Sequence, residues 1–229
     1  MPRVPGMPRH PALTGFSYDH DVDIPVGSLQ LTGHLTLPTG TAAIVVFVHG
    51  SGSSRHSPRN RLVADALNRA GLGTLLFDLL TVEEARDRAN VFNIELLATR
   101  LQVVTRWLRR LPETEGLAVG YFGASTGAAA ALWAASAPDS HVAAVVSRGG
   151  RPDLAAPRLA HVEAPTRLIV GADDTAVLDL NRRAHADMRC ARDLVQVPGA
   201  THLFEEPGAL DRVADLACDW FVANLTTAV

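Results

Sequence analysis

The chain has little of several features that mark particular classes of protein. Only two of its 229 residues are cysteines, Cys190 and Cys218, which is too few for a disulfide framework or a zinc site and is typical of free thiols in a reducing compartment. No apolar run approaches the roughly 20 residues of a membrane span. Residues 1–15 lack the apolar core of a signal peptide. We therefore expect a cytoplasmic protein with a flexible tail over 1–15 and a single domain over 16–229.

The chain also lacks a strong charge of either sign. Its formal net charge is −3, its isoelectric point is about 6.3, and its 21 basic residues are arginines that form no basic run. Neither a nucleic acid nor a membrane surface is therefore expected as a partner. Hydrophobic residues make up 47 % of the chain, enough for a sizeable core, and no apolar stripe argues for a dimer.

The hydrophobic pattern predicts an antiparallel hairpin between Phe16 and Leu37, followed by alternating strands and helices. Further strands are predicted at 42–48, 73–78, 117–122, 142–147, 167–170 and 194–197, and helices at 61–70, 93–111, 128–137, 179–190 and 207–223. Such alternation is typical of parallel strands joined by crossover helices. The predicted fold class is α/β, with a mostly parallel, doubly wound sheet, and its site is expected beyond the carboxyl ends of the strands.

The most informative stretch is 123–127, GASTG, which reads G-x-S-x-G. An apolar strand is predicted directly before it, at 117–122, and a helix directly after it, at 128–137. A serine on a sharp strand-to-helix turn is the arrangement of a nucleophile elbow, with the positive end of the helix dipole beside the reacting oxygen. The alternative is a plain turn of small residues, but the context favours Ser125 as a nucleophile.

A serine nucleophile needs a base and an acid that orients the base, in the chain order Ser, acid, His for such an elbow. Downstream of Ser125, the predicted strand 167–170 is followed by Asp173 and Asp174, and the last predicted strand is followed by His202. Both positions lie at the correct end of the sheet. Only one of the two adjacent aspartates can face His202, and Asp153 is a weaker candidate for the acid.

The oxyanion formed during acyl transfer needs two backbone N–H donors. One is expected from Thr126, the residue after the nucleophile, and the other from the turn 50–53 after the first buried parallel strand. Gly52 in this turn is a candidate for substrate contact because small residues allow close approach of the backbone. His49, just before the turn, is expected to brace the end of the strand.

These motifs together resemble the α/β-hydrolase superfamily, in particular its dienelactone-hydrolase-like branch with a serine nucleophile. The resemblance covers roughly residues 20–226 and is carried by HGSGS, GASTG, GADD and GATHLF. It implies Asp174 as the acid, from the fourth position of the G-x-x-D turn, and the N–H of Ser51 as the second oxyanion donor. Dienelactone hydrolases proper have cysteine where this chain has Ser125, which favours serine-ester chemistry. The mechanism implied needs neither a metal nor an organic cofactor.

The segment 148–165, where the superfamily often inserts a lid, is too short here for a helical lid. An open site suits small esters. Arg148 and Arg151 lead this segment and are candidates for binding a substrate carboxylate, because arginine pairs with carboxylates in a bidentate manner. The alternative is that they pair with nearby acids such as Asp153. The segment 80–92 is expected to border the site with its charges towards water.

The sequence therefore predicts a serine hydrolase that cleaves a small carboxylic ester, thioester or lactone through an acyl-enzyme on Ser125. Two alternatives stay open. The same nucleophile would serve an acyltransferase, and a hydrolase-like fold can also be a non-catalytic binding module.

Overall fold

The computed structural model describes residues 15–226. Its centre is one eight-stranded sheet whose strands lie in the order β1-β2-β4-β3-β5-β6-β7-β8. The strands are β1 (Phe16–Val26), β2 (Leu29–Pro38), β3 (Ala43–Val48), β4 (Gly73–Phe77), β5 (Ala118–Ala124), β6 (Ala144–Arg148), β7 (Thr166–Gly171) and β8 (Arg192–Val197). The hairpin β1–β2 is antiparallel and joins β4 in antiparallel fashion, whereas β4, β3, β5, β6, β7 and β8 are parallel. The predicted α/β fold with an antiparallel N-terminal hairpin is confirmed.

Helices cover both faces of the sheet, so the central strands are buried on both sides. The helices are α1 (Pro58–Arg69), α2 (Arg88–Val91), α3 (Ile94–Leu108), α4 (Thr126–Ala135), α5 (Thr175–Asp187) and α6 (Ala209–Leu225). Every residue of β3 is buried, which agrees with its continuous run of apolar, mostly β-branched side chains. One apolar core lies between the sheet and α3 and α4, and a second lies between the sheet and α1 and α6.

Helix α1 begins three residues before the predicted start at residue 61. The hydroxyl of Ser57 caps it by accepting a hydrogen bond from the Asn60 N–H, and Pro58 occupies the first turn. Both are recognised start signals, since serine satisfies a free N–H and proline has none to satisfy. The earlier start places Arg59 at the edge of the sheet that carries the predicted site.

Two segments in which no helix or strand was predicted contain short helices. The segment 80–92 holds a 3₁₀ turn over Glu84–Arg86 and the single-turn helix α2, and the segment after β6 holds a 3₁₀ helix over Pro152–His161. The latter packs on α4 and α5, and no large lid lies within residues 15–226, in agreement with the prediction.

The predicted tail over 1–15 lies outside the described residues, apart from Gly15. Within 15–226 no helix is both long enough and apolar enough to cross a membrane.

Candidate active site

Ser125 occupies a sharp turn between β5 and α4, with φ 51° and ψ −122°, a conformation that costs energy for any residue with a side chain. The turn is held by the Ser125 N–H, which donates to the carbonyl of Arg148 at 3.2 Å. The two flanking glycines are sterically required. A Cβ on Gly127 would lie 2.1 Å from the carbonyl oxygen of Val48, and one on Gly123 would lie 2.5 Å from the Cα of Ala128.

His202 and Asp174 are hydrogen-bonded to each other, although 28 positions separate them in the chain. The distance between His202 Nδ1 and Asp174 Oδ2 is 2.7 Å. The adjacent Asp173 is held differently, because its backbone N–H donates to the carbonyl of Ala200 at 3.0 Å. Of the two candidate acids, Asp174 is therefore the one that contacts the histidine.

The ring of His202 lies at the same edge of the sheet as the Ser125 turn. A Cβ on Gly149 would lie 3.6 Å from His202 Cε1, and the residue before Gly149 is Arg148, whose carbonyl holds the Ser125 N–H. The elbow and the histidine thus meet at the end of β6. The bond to Asp174 fixes the Nδ1 side of the imidazole and leaves Nε2 for proton transfer.

The two expected oxyanion donors lie side by side, but one of them has a partner. The N–H of Ser51 donates to the hydroxyl oxygen of Thr126 at 2.8 Å. This bond ties the turn after β3 to the first residue of α4. For Ser51 to stabilise an oxyanion, its N–H has to exchange the Thr126 hydroxyl for the substrate oxygen.

His49 connects the ends of β3 and β4. Its Nδ1 lies 3.0 Å from the Gly50 carbonyl, and its Nε2 accepts the Leu79 N–H at 3.2 Å. This pair of contacts requires the neutral ring with the proton on Nδ1. Burial lowers the pKa of His49 below its ordinary value, which keeps the ring in that form. His49 thus braces the strand end, as expected.

Sequence reasoning missed a second brace of this turn, the ion pair between Arg55 and Asp78. The guanidinium of Arg55 contacts the Asp78 carboxylate, and the Arg55 N–H donates to the same carboxylate at 2.8 Å. Asp78 directly follows β4, at the edge where functional groups are expected, so its position was a usable signal.

A cavity of about 670 Å³ adjoins the Gly50–Ser53 turn. Its apolar walls come from the segment between β4 and α3 and from α3 itself. The segment contributes Leu79, Leu80, Val82, Ala85, Val91 and Phe92, and α3 contributes Leu97. The charged rim includes Arg86 and Arg88. This apolar wall was not predicted, because the sequence of the segment mixes charges and apolar residues without a clear period.

The segment that walls the cavity is anchored to α3. The carboxylate of Glu84 accepts hydrogen bonds from Arg100, at 2.5 Å, and from the Thr81 N–H, at 3.0 Å. The guanidinium of Arg88 stacks over the ring of Phe92 at 5.4 Å. These contacts give the cavity a defined wall.

The two arginines at the end of β6 and just beyond it have different surroundings. Arg151 forms two hydrogen bonds of 2.8 Å with the carboxylate of Asp153, which raises its pKa. Arg148 is buried, with 8 % of its surface exposed, and no carboxylate within 15–226 pairs with it.

No group of three or more histidine, cysteine or acidic side chains within 15–226 is arranged to hold a metal ion.

The sheet order, the serine elbow and the acid–histidine pair define an α/β-hydrolase architecture. The family model for the alpha/beta hydrolase fold matches residues 43–204. The structure is also similar to a dienelactone hydrolase from Anabaena variabilis, with 53 % identity, a TM-score of 0.88, and coverage of 91 % of this chain and 98 % of that one. The chain belongs to the α/β-hydrolase family, in its dienelactone-hydrolase-like branch.

More distant structures share the fold alone. Est1E from Butyrivibrio proteoclasticus is 14 % identical with a TM-score of 0.77, over 90 % of this chain and 99 % of that one. Among curated proteins, a chain of Mycobacterium tuberculosis that is provisionally named a phosphoribosyl transferase is 62 % identical over 207 residues. The match covers 90 % of this chain and 47 % of that protein. The chain thus spans about half the length of the curated relatives it matches.

Proposed function

We propose that the protein is a serine hydrolase that cleaves a carboxylic ester, thioester or lactone through an acyl-enzyme on Ser125. The observation that supports this most directly is the 2.7 Å contact between His202 Nδ1 and Asp174 Oδ2. It joins two residues that are distant in the chain, at the edge of the sheet where the Ser125 turn lies. A catalytic triad requires this acid–base contact.

In this proposal His202 removes the hydroxyl proton of Ser125 as the serine oxygen attacks the substrate carbonyl. Asp174 holds the imidazole in the required tautomer and stabilises the imidazolium that forms. The N–H groups of Thr126 and Ser51 bind the oxyanion. His202 then gives the proton to the leaving group, and the acyl-enzyme remains. Water, activated by the same histidine, releases the acid and restores Ser125.

The cavity beside the Gly50–Ser53 turn supports a substrate larger than an acetate ester. Its volume of about 670 Å³ lies in the ordinary range for small-molecule sites, and its mainly apolar walls favour an apolar acyl or alcohol group. Because residues 15–226 form no large lid over it, longer groups can extend into solvent.

The test is hydrolysis of p-nitrophenyl esters from acetate to octanoate by the wild type and by Ser125→Ala. We expect Ser125→Ala to lose at least about a thousandfold in kcat, as triad variants do, with an unchanged circular dichroism spectrum. The matched control is Ser140→Ala, because the Ser140 hydroxyl bonds the Ala135 carbonyl at the end of α4 remote from the site. Equal activity of wild type and Ser125→Ala would refute the nucleophile.

Acyl transfer is the second candidate, because the same acyl-enzyme can pass its acyl group to an alcohol or amine. The cavity of about 670 Å³ has room for such an acceptor. Product analysis with and without added alcohols or amines separates the two reactions. New esters or amides formed at the expense of the free acid would establish transfer.

A further inference from the structure

Arg148 is a buried cation to which residues 15–226 offer no anionic partner. Its Nε and Nη1 atoms have no hydrogen-bond partner within residues 15–226, and 8 % of its surface is exposed. The other arginines with largely buried side chains each pair with an acid: Arg55 with Asp78, Arg100 with Glu84 and Arg167 with Asp193. A buried unpaired charge is costly, so a fold that retains one calls for an anion that residues 15–226 do not supply.

The position of Arg148 is directly beside the candidate nucleophile. It is the last residue of β6, and its neighbour across the sheet is Ala124, the residue before Ser125. Alternation along β6 points the Arg148 side chain to the face of Ala144 and Val146, where α1 and α6 cover the sheet. The guanidinium therefore lies on the α1 side of Ser125.

A second cation, Arg59, lies close by, because it pairs with Glu205, the residue after Phe204, and the Phe204 ring would lie 3.4 Å from a Cβ on Gly149, the residue after Arg148. Burial lowers the pKa of Arg148, and Arg59, in the first turn of α1, lowers it further, to about 10. The Nε of Arg59 also lacks a partner. Its Nη1 pairs with Glu205 at 3.0 Å, and the Glu205 side chain is 65 % exposed. An incoming anion therefore competes only with a solvated carboxylate.

The start of α1 adds to this positive potential. The helix has 12 residues and no acidic residue in its first turn, so its dipole is not offset there. Helix N-termini combined with arginines are a common way of binding phosphate groups. A carboxylate carries one charge, whereas a phosphate monoester carries nearly two and offers three oxygens, which suits two guanidinium groups.

We propose that Arg148, Arg59 and the N-terminus of α1 form a phosphate-binding subsite beside Ser125. This inference rests on the proposed function and narrows the proposed substrate to an ester that carries a phosphate group. The sheet order β4-β3-β5-β6 sets the orientation. The apolar part lies in the cavity near β3 and β4, the reacting carbonyl lies over β5, and the phosphate lies beside β6.

Binding is tested first, because it does not depend on catalysis. We expect inorganic phosphate to raise the melting temperature of the wild type above that in sodium chloride of equal ionic strength, through preferential binding to the folded state. Calorimetric titration should give an affinity that falls about 10- to 100-fold in Arg148→Met, the range for hydrogen bonds to a charged group. Arg59→Gln, at a more exposed site, should weaken binding less.

The matched control is Arg167→Met, which removes an arginine from the same sheet that is paired with Asp193. It should bind phosphate as the wild type does. If Arg148→Met does not fold, Arg148→Lys, which keeps the charge, serves in its place and should bind phosphate more weakly than the wild type. Unchanged affinity in the Arg148 variant, or an equal loss in Arg167→Met, would overturn the subsite. Succinate binding as tight as phosphate would overturn the assignment to phosphate.

Inhibition then locates the subsite. Phosphate should inhibit hydrolysis of p-nitrophenyl butyrate competitively in the wild type and weakly in the Arg148 variant. Non-competitive inhibition would place the phosphate away from Ser125 and overturn the proposal. If the wild type hydrolyses no ester but binds phosphate through Arg148, the proposed function fails while the anion site stands. If it hydrolyses esters but binds no phosphate, only the subsite fails.

Discussion

Replacing Arg148 with methionine should make the protein more stable, although it removes a large buried side chain. Burial and the nearby Arg59 lower the pKa of Arg148 to about 10. At roughly 1.4 kcal/mol for each pKa unit, keeping the charged form in the fold costs about 3 kcal/mol at any pH well below 10. Methionine has a similar length and no charge, so it removes this cost while filling most of the same space.

The gain is measured as the free energy of unfolding in urea at pH 7 and as the melting temperature. We expect the free energy of unfolding to rise by about 1 to 3 kcal/mol. For a chain of this size, each kcal/mol raises the melting temperature by about 2–4 °C. The control is Arg167→Met, which should lose stability because Arg167 pairs with Asp193 and stacks over Trp220 at 4.6 Å. A loss of stability in Arg148→Met like that of the control would show that Arg148 has a structural partner, and the reasoning would be wrong.

Three further changes test the site. Asp174→Asn should lower kcat by about 10⁴-fold, because His202 loses the acceptor that sets its tautomer. The kcat of Asp173→Asn should stay within severalfold of the wild type. Equal losses in the two variants would contradict the assignment of Asp174 as the acid. Ser125→Gly should abolish hydrolysis yet raise the unfolding free energy by about 1 kcal/mol, since glycine tolerates φ 51°; a less stable variant would argue against strain. Burial lowers the pKa of His49 in the folded protein, so near that pKa the unfolded chain binds more protons than the folded one, and the free energy of unfolding should fall as the pH drops below about 6.5. This pH dependence should be weaker in His49→Gln. An unchanged pH dependence in that variant would exclude His49 as its source.

The sequence predicted those parts of the fold that local pattern determines. Continuous apolar runs identified the buried parallel strands, and the residues after each strand pointed to one edge of the sheet, where Ser125, Asp174 and His202 lie. The missed start of α1 was also a local matter, because Ser57 and Pro58 are a capping serine and a first-turn proline. These start signals, read together with the hydrophobic periodicity, predict the observed start of α1 at Pro58.

Other features depend on the assembled fold and have no local signature. Asp173 and Asp174 are adjacent, and the β8–α6 loop distinguishes them, because its Ala200 carbonyl accepts the Asp173 N–H whereas its His202 contacts the Asp174 carboxylate. Likewise Arg148 and Arg151 are equivalent in the sequence. Arg151 pairs with Asp153 two residues away, whereas Arg148 is buried and lies near Arg59 of α1, which carries the same charge.

The order of the sheet places the two parts of the proposed site on opposite sides of Ser125. Neighbouring parallel strands lie about 5 Å apart, so the ends of β3, β5 and β6 span about 10 Å, with Ser125 in the middle. The turn after β3 opens onto the apolar cavity, and β6 ends in Arg148. One side of the nucleophile is thus apolar and the other is cationic. A substrate that places an apolar group and an anion on opposite sides of its ester would fit in one direction only, because reversing it would bury the anion among Leu80 and Phe92 and leave Arg148 unpaired.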